Sequence, residues 1–208
     1  MHWDSAPLGV AAITLIAAGV AAYIAPVFEL ERRGPADALP RRPANATCGT
    51  RQLTRRQIEQ IERRIERDRR RLGGNEAEVA AADQPPRVIP VAFHVVYVAN
   101  PDGTTQGRLS NAEIQAQFAA LNSAFSNVEF VPAKITFTPH AGWFYHTPGS
   151  SAEMDMKAAL ATGPAHWLNL YTTGLREVGY LGYSTFPWDQ ASNPTRDGVV
   201  ISYDSIPG

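Results

Sequence analysis

The spacing of apolar residues changes along this chain, and each change predicts a different element. Residues Leu8 to Phe28 form one nearly unbroken apolar run. From Thr54 to Leu72 the apolar positions thin to a narrow stripe of Ile58, Ile61, Ile65 and Leu72, spaced as one face of a helix, with Arg and Glu elsewhere. Glu59–Arg63 and Glu66–Arg70 stand four residues apart on that helix, and Gly73-Gly74 ends it. Interleaved acids favour a solvated helix resting one stripe on a partner surface over a basic nucleic-acid or membrane-surface helix. Val88 to Val98 is again almost continuously apolar and β-branched, ahead of the turn Asn100-Pro101-Asp102-Gly103. That pattern predicts a central strand buried on both faces.

Downstream, Ser110 to Phe125 predicts a helix. Ser110 and Glu113 form a capping box, and Ile114, Phe118, Leu121 and Phe125 share one face. Short strands are expected at Ile135–Thr138, Trp167–Tyr171, Leu181–Phe186 and Gly198–Tyr203, and a helix with Met154, Met156 and Leu160 at Ser151–Ala161. Leu181–Phe186 contains glycine and precedes Pro187, as an edge strand tolerates. The order of elements predicts an α/β (α+β) fold: a twisted mixed five-stranded sheet with a backing helix.

Composition narrows the partners. The 208 residues carry a formal net charge of −1, which gives no bulk attraction for nucleic acid. Only Lys134 and Lys157 are lysines, so the basic residues are almost all Arg. Cys48 is the single cysteine, hence a free thiol, an intermolecular partner or a ligand. The run at 8–28 is long enough to span a bilayer, and its small residues Val20 and Ala22 also suit signal-peptide cleavage. Basic residues follow the run instead of preceding it. Export is favoured, with membrane anchoring through 8–28 kept open. The division expected is 1–28 signal peptide or anchor, 29–87 linker and pro-segment-like region, and 88–208 a compact domain. Asn45-Ala46-Thr47 is an N-glycosylation sequon, relevant only to an exported eukaryotic chain.

Candidate chemistry is sparse. His2, His94, His140, His146 and His166 show no pair at i, i+4, so a metal site built from them is disfavoured. Asp189, Asp197 and Asp204 lack EF-hand spacing and read as turn or capping residues. No phosphate-binding loop, dinucleotide fingerprint or serine-nucleophile elbow is present.

Three segments in order, I-P-V-A-F-H-V-V-Y-V from Ile89, L-G-Y-S-T-F-P from Leu181 and D-G-V-V-I-S-Y-D-S-I-P-G from Asp197, resemble the pappalysin family of metzincin zinc endopeptidases. The resemblance covers about Ile89 to Gly208. It implies a metzincin-like N-terminal subdomain, with Ser110–Phe125 as the backing helix. It also implies that Leu181, Gly182, Tyr183, Ser184, Thr185 and Phe186 form the edge to which a protein or peptide substrate adds as a strand. The family's next element is a helix bearing H-E-x-x-H-x-x-G-x-x-H, whose histidines bind zinc and whose glutamate is the general base. That motif is absent from these residues. The expectation is therefore an incomplete catalytic domain, with no catalytic residues of its own, no zinc bound by this chain although intact relatives hold it, and no peptidase activity. By the same resemblance Cys48, in T-C-G-T, is a candidate latency ligand for the zinc of an intact enzyme. Without the zinc helix, the apolar sheet end at Val199, Val200 and Ile201 is expected to lack cover and to invite self-association. The alternative is a non-catalytic exported or membrane-tethered module that binds peptides or proteins.

Overall fold

The computed structural model describes residues 47–71, 86–125, 127–190 and 192–207. The 8–28 run, the sequon asparagine, Leu72 and Gly73-Gly74 lie outside them. The elements are β1 (Thr47–Cys48), α1 (Arg55–Arg71), β2 (Arg87–Ala99), β3 (Thr105–Gln106), α2 (Asn111–Ala124), β4 (Val128–Pro139), α3 (Ala141–Phe144), α4 (Ser151–Leu160), β5 (Leu168–Thr173), β6 (Tyr180–Ser184), α5 (Pro187–Gln190) and β7 (Val199–Ser202).

The fold is α/β with one mixed sheet. Its strands run β4-β2-β5-β7-β6-β1, with the short β3 antiparallel to the end of β2. β2 is central, as its apolar run predicts: it pairs in parallel with β4 on one side and β5 on the other. Pro90 has no N–H to donate, and it sits just before the first β2–β5 pair, Val91 with Leu168. β6 alone among the longer strands is antiparallel to its neighbour, β7.

The two faces of the sheet follow from the alternation along β2. Val91, Phe93 and Val95 point to one layer with Leu168, Leu170, Val199 and Ile201, sealed by Ile114, Phe118 and Leu121 of α2. Ser110 caps α2 as expected, accepting from the Glu113 N–H while Glu113 returns to the Ser110 N–H at 2.7 Å. Asn122 then clamps α2 to β4, accepting from the Phe130 N–H at 2.7 Å and donating to the Phe130 carbonyl at 3.1 Å. Val96 points to the other layer, with Phe144, Met156, Tyr171, Tyr183 and Val200.

Three sequence expectations are corrected. The second strand is not Ile135–Thr138 but all of Val128–Pro139. Pro132 and a register shift opposite Val91/Ala92 break its period, which hid its first half. Thr47–Cys48, read as the margin of a linker, is a strand. Val199, Val200 and Ile201 do not lack cover: they are 3, 0 and 3% exposed, Val199 and Ile201 packing in one core layer with Ile206, which the turn at Tyr203–Ser205 brings back, and Val200 in the other with Phe144 and Met156. The uncovered-sheet basis for self-association is therefore absent at these positions.

Candidate functional site

β6 lies one strand from the rim, and β1 occupies its outer side in parallel. The Thr47 N–H donates to the Gly179 carbonyl at 3.0 Å and the Gly49 N–H to the Gly182 carbonyl at 2.9 Å. The Ser184 N–H donates to Thr50 Oγ1 at 3.1 Å. The candidate edge, Leu181 to Phe186, thus presents backbone groups outward as an edge should, and the chain itself satisfies them. Thr185 and Phe186 lie past the strand's end, which falls at Ser184. Close approach explains two glycines here. A Cβ at Gly49 would stand 2.8 Å from the Tyr180 ring, and one at Gly182 would stand 2.8 Å from the Val200 carbonyl oxygen.

Cys48 is a half-buried free thiol facing Gly182 in the β1–β6 register. Beyond it, the Arg51 guanidinium lies 5.6 Å from the centre of the Phe186 ring, which stacks on Trp188 at 4.6 Å.

The inner side of β6 rests on a buried polar network. Tyr183 donates its hydroxyl toward His146 Nε2 at 2.6 Å, and His146 Nδ1–H donates to the Trp143 carbonyl at 2.7 Å. Glu153, on α4, accepts from the Gly149 N–H at 2.6 Å and pairs with Lys157 at 2.8 Å. Lys157 also donates to the Arg196 carbonyl at 2.8 Å, with its ammonium over the Tyr171 and Tyr183 rings. Burial pushes the Glu153 carboxyl up, but Lys157 and the Gly149 N–H outweigh it and hold the acid below its ordinary range. Burial pulls Lys157 down, and Glu153 only partly restores it. Burial raises the Tyr183 phenol far above its usual range, and the neighbouring Glu153 charge adds to this. The network is therefore a fixed support for β6 with its tyrosine un-ionised.

Three of the histidines, His94, His140 and His146, are held in structural hydrogen bonds. His94 bridges three strands, contacting Thr136 Oγ1 at 2.8 Å and Asn169 Oδ1 at 3.1 Å, and stacks on Tyr171. Burial lowers its pKa against the raising effect of Asn169. His140 caps α3, accepting from the Trp143 N–H at 3.0 Å. Asp197 accepts from Thr185 and Asp204 from Ser202, as turn residues do.

Sequence reasoning missed Thr50, Arg51, Trp188, Glu153 and Lys157. The Glu153–Lys157 spacing was a readable signal for an ion pair, though not for its burial. Nothing local marked Arg51 or Trp188.

No protein-family model matches the chain. Sequence relatives are informative. An extracellular metalloprotease of Colletotrichum graminicola is 32% identical over 171 residues, covering 79% of this chain and 57% of the relative. One from Podospora anserina is 35% identical over 136 residues, covering 62% and 45%. One from Pyricularia oryzae is 35% identical over 141 residues, covering 64% and 48%. The chain is related to extracellular metalloproteases. It spans about half the length of the metalloproteases it matches. Among solved structures, mirolysin in complex with compound 9 aligns at 30% identity and a TM-score of 0.44, covering 59% of this chain and 55% of that chain. Tannerella forsythia mature mirolysin with a cleaved peptide aligns at 26% identity and a TM-score of 0.42, covering 59% and 55%. For a metalloprotease relative the metal is the decisive test. Among the described residues no group of three or more His, Cys, Asp or Glu could hold a metal ion. Cys48 stands alone on β1, and His94 and His146 are committed to hydrogen bonds. The described residues therefore do not assemble a metal centre, and no metal-dependent step follows from them. Among the described residues, no helix is long and apolar enough to cross a membrane.

Proposed function

We propose that these 208 residues form the latency segment and substrate edge of an exported zinc metalloendopeptidase of the pappalysin type, inactive by themselves. The zinc ligands and general base would lie outside them. The observation that carries this reading is β1 on β6. The candidate latency residue and the candidate substrate edge belong to segments more than a hundred residues apart in sequence, and backbone hydrogen bonds join those segments. A segment that fills an edge with its own N–H and C=O groups competes with any peptide that would add there. Residues 29–87 would then act as the pro-segment, 88–208 as the substrate-binding half of the catalytic domain, and Cys48 as the ligand that closes the metal's open position in the intact enzyme. The substrate class is extended peptide or protein, and the compartment is extracellular.

Intact mass and peptide mapping of the native product test this directly. A product continuing past residue 208 into H-E-x-x-H-x-x-G-x-x-H is expected, and in that precursor Cys48→Ala should raise peptidase activity before processing. A native product ending at Gly208 overturns the reading. So does chelator-sensitive peptide cleavage by the purified 208-residue chain.

A further inference from the structure

The strand at the far rim of the sheet changes character halfway along. Among the described residues β4 pairs only with β2, so its other side has no strand beside it. In its first half the Arg87 N–H donates to the Asn127 carbonyl at 3.1 Å, which turns the backbone of Phe130 away from β2. Those outward groups are met, because Asn122 accepts from the Phe130 N–H and donates to its carbonyl. The register then shifts at Ala133, which has no β2 partner between Pro132 and Lys134. Beyond it the His140 N–H donates to the Tyr97 carbonyl at 2.9 Å. Two-residue alternation therefore turns the backbone of Thr136 and Thr138 toward β2, and that of Ile135 and Phe137 outward. No described residue meets the outward N–H and C=O groups of Ile135 and Phe137. Their side chains are also 41 and 37% exposed. Arg108 steadies one of them, its guanidinium 5.2 Å from the centre of the Phe137 ring.

We propose that this open half of β4 is a dimer edge, on which the segment around Thr136 pairs antiparallel with the same segment of a second copy. The two-fold axis passes beside Thr136. Ile135 of each copy then lies opposite Phe137 of the other and exchanges both N–H···O bonds with it. What singles out a second copy is self-complementarity. The register sets each exposed apolar side chain against another, as cross-strand pairs prefer. Lys134, the one charged residue between Pro132 and Pro139, falls opposite Thr138 and meets no like charge. It thereby guards the edge against strands that bring a second cation there. Slipping by one residue throws the facing side chains onto opposite faces. Sliding by two toward the C-terminus sets Ile135 against Pro139, which has no N–H to give. The overlap is short for a protein interface, so the dimer is weak, with a dissociation constant on the order of 10–100 µM.

Sedimentation equilibrium of the full chain, over about 5 to 200 µM, should show a monomer–dimer equilibrium. Ile135→Lys should weaken it at least about tenfold by setting a charge in the seam. Ile135→Pro should do the same. The N–H it deletes faces outward, so the ladder to β2 and the fold should be kept. Cross-linking reads the register, with Cys48→Ser in every variant. Lys134→Cys combined with Thr138→Cys should give a disulfide-linked dimer on mild oxidation. Lys134→Cys alone should give none, since its counterpart in the second copy stands about 13 Å away, beyond disulfide reach. A chain that is monomeric at every concentration overturns the proposal. If the Ile135 and Phe137 amides still exchange slowly in that monomer, another segment of the same chain holds the edge. Association that Ile135→Lys and Ile135→Pro both leave unchanged also overturns it, by placing the contact elsewhere. So does a cross-link formed by Lys134→Cys alone.

Discussion

Helices α1 and α4 carry the same acid–base spacing and put it to opposite uses. In α1, Arg55–Glu59 and Arg70–Glu66 are separated by four residues, and their side chains are 44 to 94% exposed. In α4, Glu153–Lys157 has the same spacing, yet its side chains are 5 and 0% exposed. In water such a pair contributes little, since each ion is already solvated and long side chains lose freedom on pairing. Under the sheet it must replace the solvation of both ions, and here it does so with further partners: the Gly149 N–H, the Arg196 carbonyl and two tyrosine rings. The buried pair thereby ties α4 to the loop at Arg196 and to Tyr183 on β6, the strand that bears the candidate edge. The exposed pairs of α1 tie the helix only to itself.

Breaking each pair on one side separates the two cases. Lys157→Met should cost about 3–5 kcal/mol, because Glu153 is left charged and buried without its cation. The double change Glu153→Leu with Lys157→Met should recover much of that loss, since an apolar pair of similar volume needs no solvation. Urea melts of the three variants check this, and additive losses would mean that the charges are not coupled.

A pH series is the next largest effect. His94 and His146 are lowered from 6.5, chiefly by burial, so the unfolded chain binds protons that the folded one refuses. Stability should therefore fall as pH drops below about 6.5, with a further loss once the depressed Glu153 carboxyl protonates below its unfolded value of 4.5. Lys157 acts with the same sign at alkaline pH: its lowered pKa means that the penalty of burying its charge is relieved as pH rises toward 10.5, so stability rises there too. His146→Gln should flatten the acid limb near neutrality, measured as the denaturant midpoint at pH 7.5 and pH 5.5. A midpoint unchanged over that interval in the parent chain contradicts neutral buried histidines. The smallest effect belongs to α1. Arg70→Ala should leave the midpoint unchanged within error at physiological salt.

Legibility in the sequence followed how local each cause is. The capping box at Ser110 and Glu113, the stripe of α2 and the apolar run of β2 act through neighbours three or four residues away or through burial on both faces, and all three stand in the structure as read. Thr54 likewise opens α1, with Gln57 returning to its N–H at 2.9 Å. β4 was half hidden because a bulge spoils the two-residue period. β1 was hidden altogether: two residues are too few for a pattern, and Thr47–Cys48 is a strand only because β6 stands beside it. Of the candidate site, Leu181 to Ser184 were legible as a strand, but not that β1 lies outside them or that Thr185 and Phe186 fall past the strand's end. Their occupation by Thr47–Thr50 and the seating of Arg51 on Phe186 were not, since contacts across some 130 residues leave no local trace.

The sequence by itself determined the α/β class, the central strand, the backing helix and the relation to extracellular metalloproteases. These depend on periodicity, capping and identity along the chain, which are properties of neighbours. Tertiary structure decided which charged pair is buried, which strand sits at the rim, and what lies on it. Those outcomes depend on where elements distant in sequence come to rest. The same four-residue spacing of acid and base is a solvated ornament or a buried tie according to what packs above it.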